Sequence, residues 1–476
     1  MSTPASVIAI VPSVEFDAAL IRKLNQMGPR YTSYPTADRF SADFSAADYQ
    51  DAVARVARRG EPRGLSLYVH IPFCESLCYY CACNKIITQD REKAVVYLDY
   101  LKREIAMQGR LLAGMNRVEQ LHFGGGTPTY LSDDQMDELL ACLRHWFEFA
   151  PDAAGEYSVE VDPRTVTPDR IRTLRRQGFN RISLGVQDFD HEVQKAVNRI
   201  QPEAQTVEVI EAAREAGFRS ISIDLIYGLP KQSAITMAQT LEKVVAANPD
   251  RIAIYNYAHM PHLFKSQKLI VTADLPTPDA KLDMLALCIE RLGAAGYVYI
   301  GMDHFAKPDD DLAVSQREGK LQRNFQGYST HAEADMVALG VSGISAFGGT
   351  YSQNDKSITG YYARLDQGML PIRRGVALSD DDLLRRTVIG RLMCDFALSF
   401  ADVPLPPGVD FSGYFADELA QLHRLADDGL LSIEPEGLRV SLKGRLLIRN
   451  VCMVFDRYLG AAREQQPAPL RYSRTI

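Results

Sequence analysis

The sequence predicts an α/β fold in which six parallel strands and their helices curl toward a partial or complete barrel. Short runs rich in β-branched and aromatic residues alternate with longer amphipathic stretches, which is typical of βαβ units with right-handed crossovers. The predicted strands occupy residues 65–71, 118–123, 157–161, 181–186, 220–226 and 251–257. The predicted helices between them occupy residues 91–112, 133–147, 167–177, 203–217 and 235–247.

The alternation stops near residue 370, and this change divides the chain. The three predicted units are an N-terminal leader, a barrel core and a mostly helical C-terminal domain, at residues 1–60, 61–365 and 366–476. In the last unit we predict helices over 379–397 and 411–426, followed by a hairpin and a further helix. Because helix, helix, hairpin is also the order of a winged helix, a DNA-binding unit is the alternative to a helical cap packed on the barrel.

Composition places the 476 residues among ordinary globular proteins, with 46% hydrophobic and 24% charged residues. Lys and Arg total 53 and Asp and Glu total 60, for a net charge of −7. This mild acidity argues against a partner with a phosphate backbone. No apolar run reaches the ~18 residues of a membrane span, and the first residues lack the basic segment of a secretory signal. We therefore expect a cytoplasmic chain without nucleic-acid or membrane partners.

Four of the eight cysteines fall within ten residues, directly after the first predicted strand. In a reducing cytosol such a cluster is more often a metal site than a set of disulfides. Cys74, Cys78 and Cys81 lie on one loop and can hold three irons of a cubane iron–sulfur cluster, which leaves the fourth iron open to a ligand. Cys83 provides an alternative, because a fourth cysteine ligand would close the site around zinc or around an electron-transfer cluster.

Glycines and carboxylates follow the next strands, at the edge where a βα barrel carries its chemistry. The run Gly124-Gly125-Gly126-Thr127 follows the second strand, and glycines there let backbone groups approach an amino-acid ligand. The polar side chains at the next three strand ends are Glu160, Asp162, Gln187, Asp188 and Asp224. Each alone could be a capping or turn residue. Together they indicate a site that binds ribose hydroxyl or ammonium groups.

Over nearly its whole length the chain resembles the oxygen-independent coproporphyrinogen III oxidase family of radical S-adenosylmethionine (SAM) enzymes. The cysteine spacing and GGGTPT indicate the superfamily, whereas GPRYTSYPTA at 28–37, the extension to Cys83 and RNFQGY at 323–328 narrow the resemblance to this family. The other matching segments are YVHIPFCESLCYYCACNK at 68–85, LHFGGGTPTYL at 121–131, EVDPR at 160–164, GVQDF at 185–189, IDLIYGLPKQ at 223–232, GMDHFAKPDD at 301–310 and GRLLIRN at 444–450.

The resemblance implies an incomplete (β/α)6 TIM-like barrel, one 4Fe–4S cluster on Cys74, Cys78 and Cys81, and two bound SAM molecules. Cys83 would lie beside the cluster motif without binding iron. The residues implied for the first SAM are Tyr68, Gly125, Glu160 and Ile344. The residues implied for the second SAM, away from the cluster, are Tyr80, Gly126, Thr127, Gln187, Arg199, Asp224 and Ala258.

The reaction that the resemblance implies is the oxidative decarboxylation of two propionates of coproporphyrinogen III, on rings A and B, to the vinyl groups of protoporphyrinogen IX in haem biosynthesis. A 5′-deoxyadenosyl radical formed from SAM would take a hydrogen atom from the propionate β-carbon. An electron donor such as a flavodoxin or ferredoxin would reduce the cluster, and we expect a monomer. Because the substrate carries four carboxylates, we predict that Arg30 and Arg323 contact them and that the leader closes over the barrel mouth.

Two alternatives to this function remain at the level of the sequence. The first is a haem-binding or haem-degrading radical SAM paralogue, although such relatives usually lack the leader motif and Cys83. The second is a winged-helix regulator with a structural four-cysteine metal site. Such a regulator would need neither the glycine run nor the strand-end carboxylates.

Overall fold

The computed structural model describes residues 13–60, 63–331, 334–459 and 474. The first two α-helices of the described residues are α1 (Ala18–Leu24) and α2 (Ala46–Arg59). The Asp17 side chain caps α1 by accepting a hydrogen bond from the Leu20 N–H at 3.0 Å. The leader of the sequence analysis is therefore partly helical, and its first 12 residues lie outside the described part of the chain.

All six predicted strands form and pair in parallel, within a sheet of 13 strands. From residue 65 to residue 256 the strands and helices are β1 (Leu65–Ile71), β2 (Phe73–Cys74), β3 (Ile86–Ile87), α3 (Glu92–Leu111), β4 (Arg117–Gly125), α4 (Asp133–Trp146), β5 (Glu148–Phe149), β6 (Glu156–Val161), α5 (Pro168–Arg176), β7 (Arg181–Gln187), α6 (His191–Ala196), α7 (Glu203–Glu215), β8 (Ser220–Tyr227), α8 (Ala234–Ala247) and β9 (Arg251–Asn256). Each strand or helix predicted between residues 65 and 257 is present within two residues of its predicted limits. The helix predicted over 411–426 is instead two helices. The parallel order β9-β8-β7-β6-β4-β1 follows the chain, as successive right-handed crossovers require.

Local capping explains why the helix limits were predictable. Ser132 caps α4 with its hydroxyl, which accepts from the Gln135 N–H at 3.2 Å, and the Gln135 side chain accepts from the Ser132 N–H in return. Thr167 caps α5 in a similar way. The short helix α6 was not predicted, because the Asp190 cap that starts it is followed by only six helical residues.

The sheet continues at both edges with strands that the sequence analysis did not predict. The further elements are α9 (Pro278–Ala294), β10 (Val298–Gly301), β11 (His304–Ala306), α10 (Asp311–Arg317), β12 (Gln322–Asn324), β13 (Gly327–Ser329), β14 (Asp335–Leu339), β15 (Ile344–Phe347), β16 (Thr350–Asn354), α11 (Ile358–Asp366) and β17 (Ile372–Ala377). β14 pairs in parallel with β1, and β15, β16 and β17 extend that edge in antiparallel fashion. β11 pairs antiparallel with β9 at the other edge, followed by β10. The end strands β10 and β17 do not pair with each other within the described chain, so the barrel is incomplete, as the resemblance implied.

The C-terminal unit is mostly helical, with a small antiparallel sheet. Its elements are α12 (Asp380–Asp395), β18 (Ala397–Ser399), α13 (Phe411–Tyr414), α14 (Ala416–Asp427), β19 (Leu431–Glu434), β20 (Gly437–Val440), α15 (Leu442–Leu446) and α16 (Ile448–Val454). The large sheet extends to Ala377, beyond residue 365, and the three-unit division of the chain stays a prediction. None of the helices in the described ranges has both the length and the apolar character to cross a membrane.

A buried carboxylate joins α3 to the strands that return beside β1. Glu104 has no exposed surface and accepts hydrogen bonds from the Tyr361 hydroxyl at 2.6 Å, the Gly340 N–H at 2.7 Å and the Asn354 amide at 2.7 Å. Burial raises the pKa of Glu104 to about 7, although the three donors favour the charged form. Because Gly340 directly follows β14, this carboxyl group fixes the end of the strand that pairs with β1.

We expect Glu104→Gln to change how the free energy of unfolding depends on pH. The folded pKa of Glu104 lies above its ordinary value, so its contribution to stability is fully present below about pH 4.3 and is lost as the pH rises through 7. The wild type should lose roughly 2–3 kcal/mol relative to the variant between pH 5 and pH 8. Urea unfolding at both pH values measures this, with the exposed Glu211→Gln as the control. If the free energies of unfolding of the wild type and Glu104→Gln differ by the same amount at pH 5 and pH 8, this expectation is wrong.

Candidate functional site

The cysteine loop starts at the C-terminal end of β1, as predicted. The short strands β2 and β3 pair with each other and close the base of this loop. The segment after α6 holds its middle, because the Tyr79 N–H donates to the Val197 carbonyl at 3.0 Å and the Asn198 amide donates to the Leu77 carbonyl at 2.8 Å. The loop is therefore fixed by backbone contacts at both its base and its middle.

Donor groups surround the thiols of this loop. Cys74, Cys78 and Cys81 are all free of disulfides. The guanidinium groups of Arg164 and Arg199 each donate to the Cys78 Sγ at 3.5 Å. Such charge-assisted donors suit a sulfur that carries negative charge. Burial raises the pKa of the Cys74 thiol to about 11, so this thiol keeps its proton until a metal displaces it.

The chemistry of these groups fits an iron–sulfur cluster. Among the described residues, no three His, Cys, Asp or Glu side chains converge on a point where they could hold a single metal ion. A cubane does not need that convergence, because each thiolate binds a different iron. Three thiols spread along one loop, with cationic donors against one sulfur, therefore match the predicted group.

Cys83 is exposed and lies beside Cys81. Its thiol hydrogen-bonds to Cys81 and, together with the nearby Lys85 ammonium, lowers the pKa of Cys81 to about 6. The Lys85 ammonium also donates to the Cys81 carbonyl at 2.9 Å. That Cys83 does not bind iron stays a prediction.

A single carboxylate, Asp162, is shared by the two arginines that reach Cys78. The Arg164 guanidinium donates to the Asp162 carboxylate at 2.7 Å and 3.0 Å, and Arg199 donates to it at 3.0 Å. Burial raises the pKa of Asp162, but Arg199 and Arg164 together lower it below its ordinary value. Only 7% of the Arg199 side chain is exposed, so Arg199 is not an ordinary surface arginine. The resemblance places Arg199 at the second SAM and not at the cluster, and its guanidinium group contacts the cysteine loop at Cys78.

Three of the four residues predicted for the first SAM meet around His122. The His122 Nε2 hydrogen-bonds to Glu160 at 3.1 Å, and the Tyr68 ring stacks on the His122 ring with centroids 5.8 Å apart. The Gly125 N–H donates to the other Glu160 oxygen at 3.3 Å. Ile344 begins β15, beyond the strand that pairs with Tyr68. Sequence reasoning missed His122, whose only signal is a polar residue within a buried strand.

Five of the seven residues predicted for the second SAM form two groups, and Arg199 is at the centre of one. Arg199 donates to the Gly185 carbonyl, and Gly185 is the register partner of Asp224 on β8. Burial raises the pKa of Asp224 to about 7, and the Glu160 charge adds to that rise. Gln187 has a positive φ of 70°, and its amide lies close to Gly185 as well.

Gln267 connects the other group to the cysteine loop. Its amide donates to the carbonyls of Tyr80 at 3.1 Å and Ala258 at 3.2 Å, and the adjacent Ser266 hydroxyl donates to the Cys81 carbonyl at 3.0 Å. Gln267 lies in a short 3-10 segment, Lys265–Leu269, without any motif. No sequence signal therefore indicated that this segment holds the cysteine loop.

The glycine run brings β4 against β1. A Cβ on Gly125 would lie 2.8 Å from the His70 ring, and one on Gly126 would lie 2.7 Å from the Phe73 carbonyl oxygen. The Gly126 and Thr127 N–H groups donate to the Ile71 and Phe73 carbonyls at 2.8 Å. The Thr127 hydroxyl lies 3.5 Å from the Cys74 Sγ. These glycines thus permit strand approach in addition to the ligand approach that the sequence predicted.

A cavity of about 1090 Å³ lies at the ends of β8 and β9, and Ala258 is part of its wall. The leader contributes Arg30, which forms an ion pair with Asp303. Arg323 donates to the Arg30 carbonyl at 3.5 Å, with its guanidinium 4.9 Å from the centre of the Tyr328 ring. The structure therefore brings the two predicted substrate residues together beside this cavity.

We expect Asp162→Asn to destabilise the protein by roughly 3–5 kcal/mol, because it leaves two buried guanidinium groups without their shared carboxylate. Urea unfolding of both proteins measures the loss. Asp169→Asn is the matched control, since the Asp169 side chain is 93% exposed and pairs only at the surface with Arg172. Equal unfolding free energies for the two variants would contradict the role of Asp162.

Comparisons with known proteins agree with this geometry. The model of the radical SAM superfamily matches residues 68–244, and that of the HemN C-terminal domain matches residues 378–447. The second match lies within the mostly helical C-terminal unit.

The chain is also similar to characterised enzymes over its whole length. The oxygen-independent coproporphyrinogen III oxidase of Pseudomonas aeruginosa is 50% identical over 467 residues, which cover 98% of this chain and 100% of the relative. The enzyme of the same name from Escherichia coli is 51% identical over 466 residues, with 98% and 100% coverage. The solved structure of coproporphyrinogen III oxidase (HemN) from Escherichia coli, a radical SAM enzyme, matches with a TM-score of 0.89 and 50% identity over 94% of this chain and 100% of that chain. The chain therefore belongs to the oxygen-independent coproporphyrinogen III oxidase family of radical SAM oxidoreductases.

Proposed function

We propose that this enzyme converts the ring A and ring B propionates of coproporphyrinogen III to vinyl groups and so produces protoporphyrinogen IX. The observation that carries the proposal is the position of the cavity with Arg30 on its wall, beside the groups predicted to bind SAM. Its volume of about 1090 Å³ lies just above the usual range for small-molecule sites, ~300–1000 Å³. A tetrapyrrole with four carboxylates needs such a large cavity with basic walls.

Membership of the radical SAM family brings a 4Fe–4S cluster and SAM, and we assign the cluster to Cys74, Cys78 and Cys81. When bound, the cluster and SAM supply the radical that removes a hydrogen atom from the substrate. The donors at Cys78 and the contact of Thr127 with Cys74 support this assignment. The protein residues hold the loop in place and orient the reactants.

We further propose that two SAM molecules bind. Tyr68, Gly125, Glu160 and Ile344 would hold the first, and Glu160, held by His122 and the Gly125 N–H, would accept from ribose or ammonium groups. Tyr80, Gly126, Thr127, Gln187, Arg199, Asp224 and Ala258 would hold the second. The grouping of five of the latter residues around Arg199 and Gln267 supports a second site close to the first.

Arg30 and Arg323 are our assignments for substrate carboxylates. The proposal includes a monomeric enzyme, a flavodoxin or ferredoxin as electron donor, and a leader that covers the cavity. The hydrogen bond from Arg449 to the Pro29 carbonyl at 2.8 Å supports the last point, because it attaches the leader to the C-terminal unit.

The ligand assignment predicts different results for two neighbouring cysteines. Cys81→Ala should lose the cluster, because two thiolates remain to hold it, whereas Cys83→Ala should keep it. Iron and sulfide analysis after anaerobic reconstitution measures both variants. Equal cluster loss in the two proteins would favour a closed four-cysteine site.

The assignment of two SAM sites predicts that Asp224→Asn keeps the iron and sulfide of the wild type but binds one SAM instead of two. Because Arg199 contacts Cys78, Asp224 is the cleaner position for this test. Anaerobic equilibrium dialysis counts the bound SAM, and product analysis should show little protoporphyrinogen IX.

Glu160→Gln is the comparison for this experiment. It should also bind one SAM, but it should lose the change that SAM causes in the electron paramagnetic resonance spectrum of the reduced cluster, whereas Asp224→Asn should keep that change. Two SAM molecules and full turnover in Asp224→Asn would contradict the assignment of Asp224.

A further inference from the structure

We propose that Lys281 binds a carboxylate group of a ligand in the cavity at the ends of β8 and β9. Lys281 is the fourth residue of α9, and it lines that cavity. The inference rests on the proposed function for the identity of the ligand.

The Lys281 ammonium is held at the end of β9 by neutral oxygens. Its Nζ donates to the Tyr257 carbonyl at 2.6 Å and to the Asn256 side-chain oxygen at 3.2 Å, and it lies 5.8 Å from the centre of the Tyr257 ring. An ammonium group has three donors. These two contacts therefore orient the group and leave one donor for a ligand.

The carboxylates on the cavity wall are engaged by other cations. Of the described residues that line the cavity, Asp279 pairs with Arg22 at 2.9 Å and Asp303 pairs with Arg30. Burial lowers the pKa of Lys281 to about 8, so the group is still charged at neutral pH. Removing a charge from water without an opposite charge is unfavourable, and a bound carboxylate would supply that charge.

The position of Lys281 in helix α9 is a second reason to expect a bound anion. The first turn of a helix carries the positive end of the helix dipole, where a cation is unfavourable and an anion is favourable. Lys281 lies in the first turn of the 17-residue helix α9. Stability of the helix therefore does not explain a lysine at this position, whereas an anion bound beside it would be attracted by both the ammonium and the helix terminus.

The chain also makes room for this side chain. Gly228 follows β8 with a φ of +85°, and a Cβ there would lie 2.5 Å from the Lys281 Cε and 2.9 Å from its Nζ. The turn after β8 thus leaves space for the ammonium group at the strand ends. The site consists of a lysine, the glycine that admits it, and two neutral acceptors that orient it.

Two ligands of the proposed reaction carry a suitable carboxylate. One is a propionate of the porphyrinogen, and the other is the methionine carboxylate of the second SAM, since Ala258 lines the same cavity. The chemistry is shared, so the experiment has to separate the two sources.

The test compares Lys281→Met and Lys281→Arg with the wild-type holoenzyme and with Lys320→Met, which changes a 70% exposed lysine. Fluorescence titration measures binding of coproporphyrin III, the stable oxidised form of the substrate, and of its tetramethyl ester. Anaerobic equilibrium dialysis measures binding of SAM, and iron and sulfide analysis confirms that the cluster is present.

If the ligand is a propionate, Lys281→Met should weaken binding of coproporphyrin III by about tenfold or more, leave ester and SAM binding unchanged, and be largely rescued by Lys281→Arg. If the ligand is SAM, the variant should lose affinity for one SAM by a similar factor and keep porphyrin binding. A wild-type-like variant with its cluster intact would overturn the inference.

Two controls keep the result interpretable. A wild type that neither binds coproporphyrin III nor produces protoporphyrinogen IX would overturn the proposed function itself. The thermal midpoint of ligand-free Lys281→Met should equal or exceed that of the wild type, because removal of an unpaired half-buried charge does not destabilise the fold. A lower midpoint together with unchanged affinity of Lys281→Met for coproporphyrin III and for SAM would show that Lys281 is structural and would overturn the inference.

Discussion

The balance of charge around Asp162 is the interaction on which the site depends. Two guanidinium groups share this one carboxylate, and both donate to the Cys78 sulfur. Two positive charges and one negative charge leave an excess of one positive charge in a buried place beside the Cys78 sulfur. Because Arg199 also donates to the Gly185 carbonyl, the same charges connect the cysteine loop to β7. The cysteine loop and β7 are therefore held in a fixed relative position.

The sequence was informative wherever the deciding interactions are local. Alternating patterns and capping residues define the six parallel strands and their helices. Cys74, Cys78 and Cys81 lie on a single loop, so their spacing is visible in the sequence. The edge strands β15 to β17, which pair with their neighbours along the chain, were missed because they are short, and β14 was missed because its pairing with β1 connects distant segments. The Glu104 carboxylate that fixes β14 was missed for the same reason, since its donors lie more than 200 residues away.

Asp188 and Asp224 show where sequence reasoning about the site reaches its limit. Asp188 directly follows β7 and Asp224 lies within β8, and no feature of the local sequence separates their roles. Asp188 accepts hydrogen bonds from the Thr240 hydroxyl at 2.8 Å and from the Gln232 amide, so it is a structural turn residue. Asp224 accepts one side-chain bond, from the Ser183 hydroxyl at 3.3 Å, and keeps capacity for a ligand. Tertiary partners, not the motif, decide between the two roles.

The cationic residues at the cavity differ in whether a carboxylate of the protein already pairs with them. The chain as a whole has a net charge of −7, so recognition of a tetracarboxylate has to come from the local field of this wall. Arg30 already shares its charge with Asp303, and a substrate group must compete with that carboxylate. Lys281 contacts only neutral oxygens in the described structure, so its full charge is available at the strand ends. A carboxylate at Lys281 would therefore meet no competing carboxylate of the described chain, whereas a carboxylate at Arg30 would compete with Asp303.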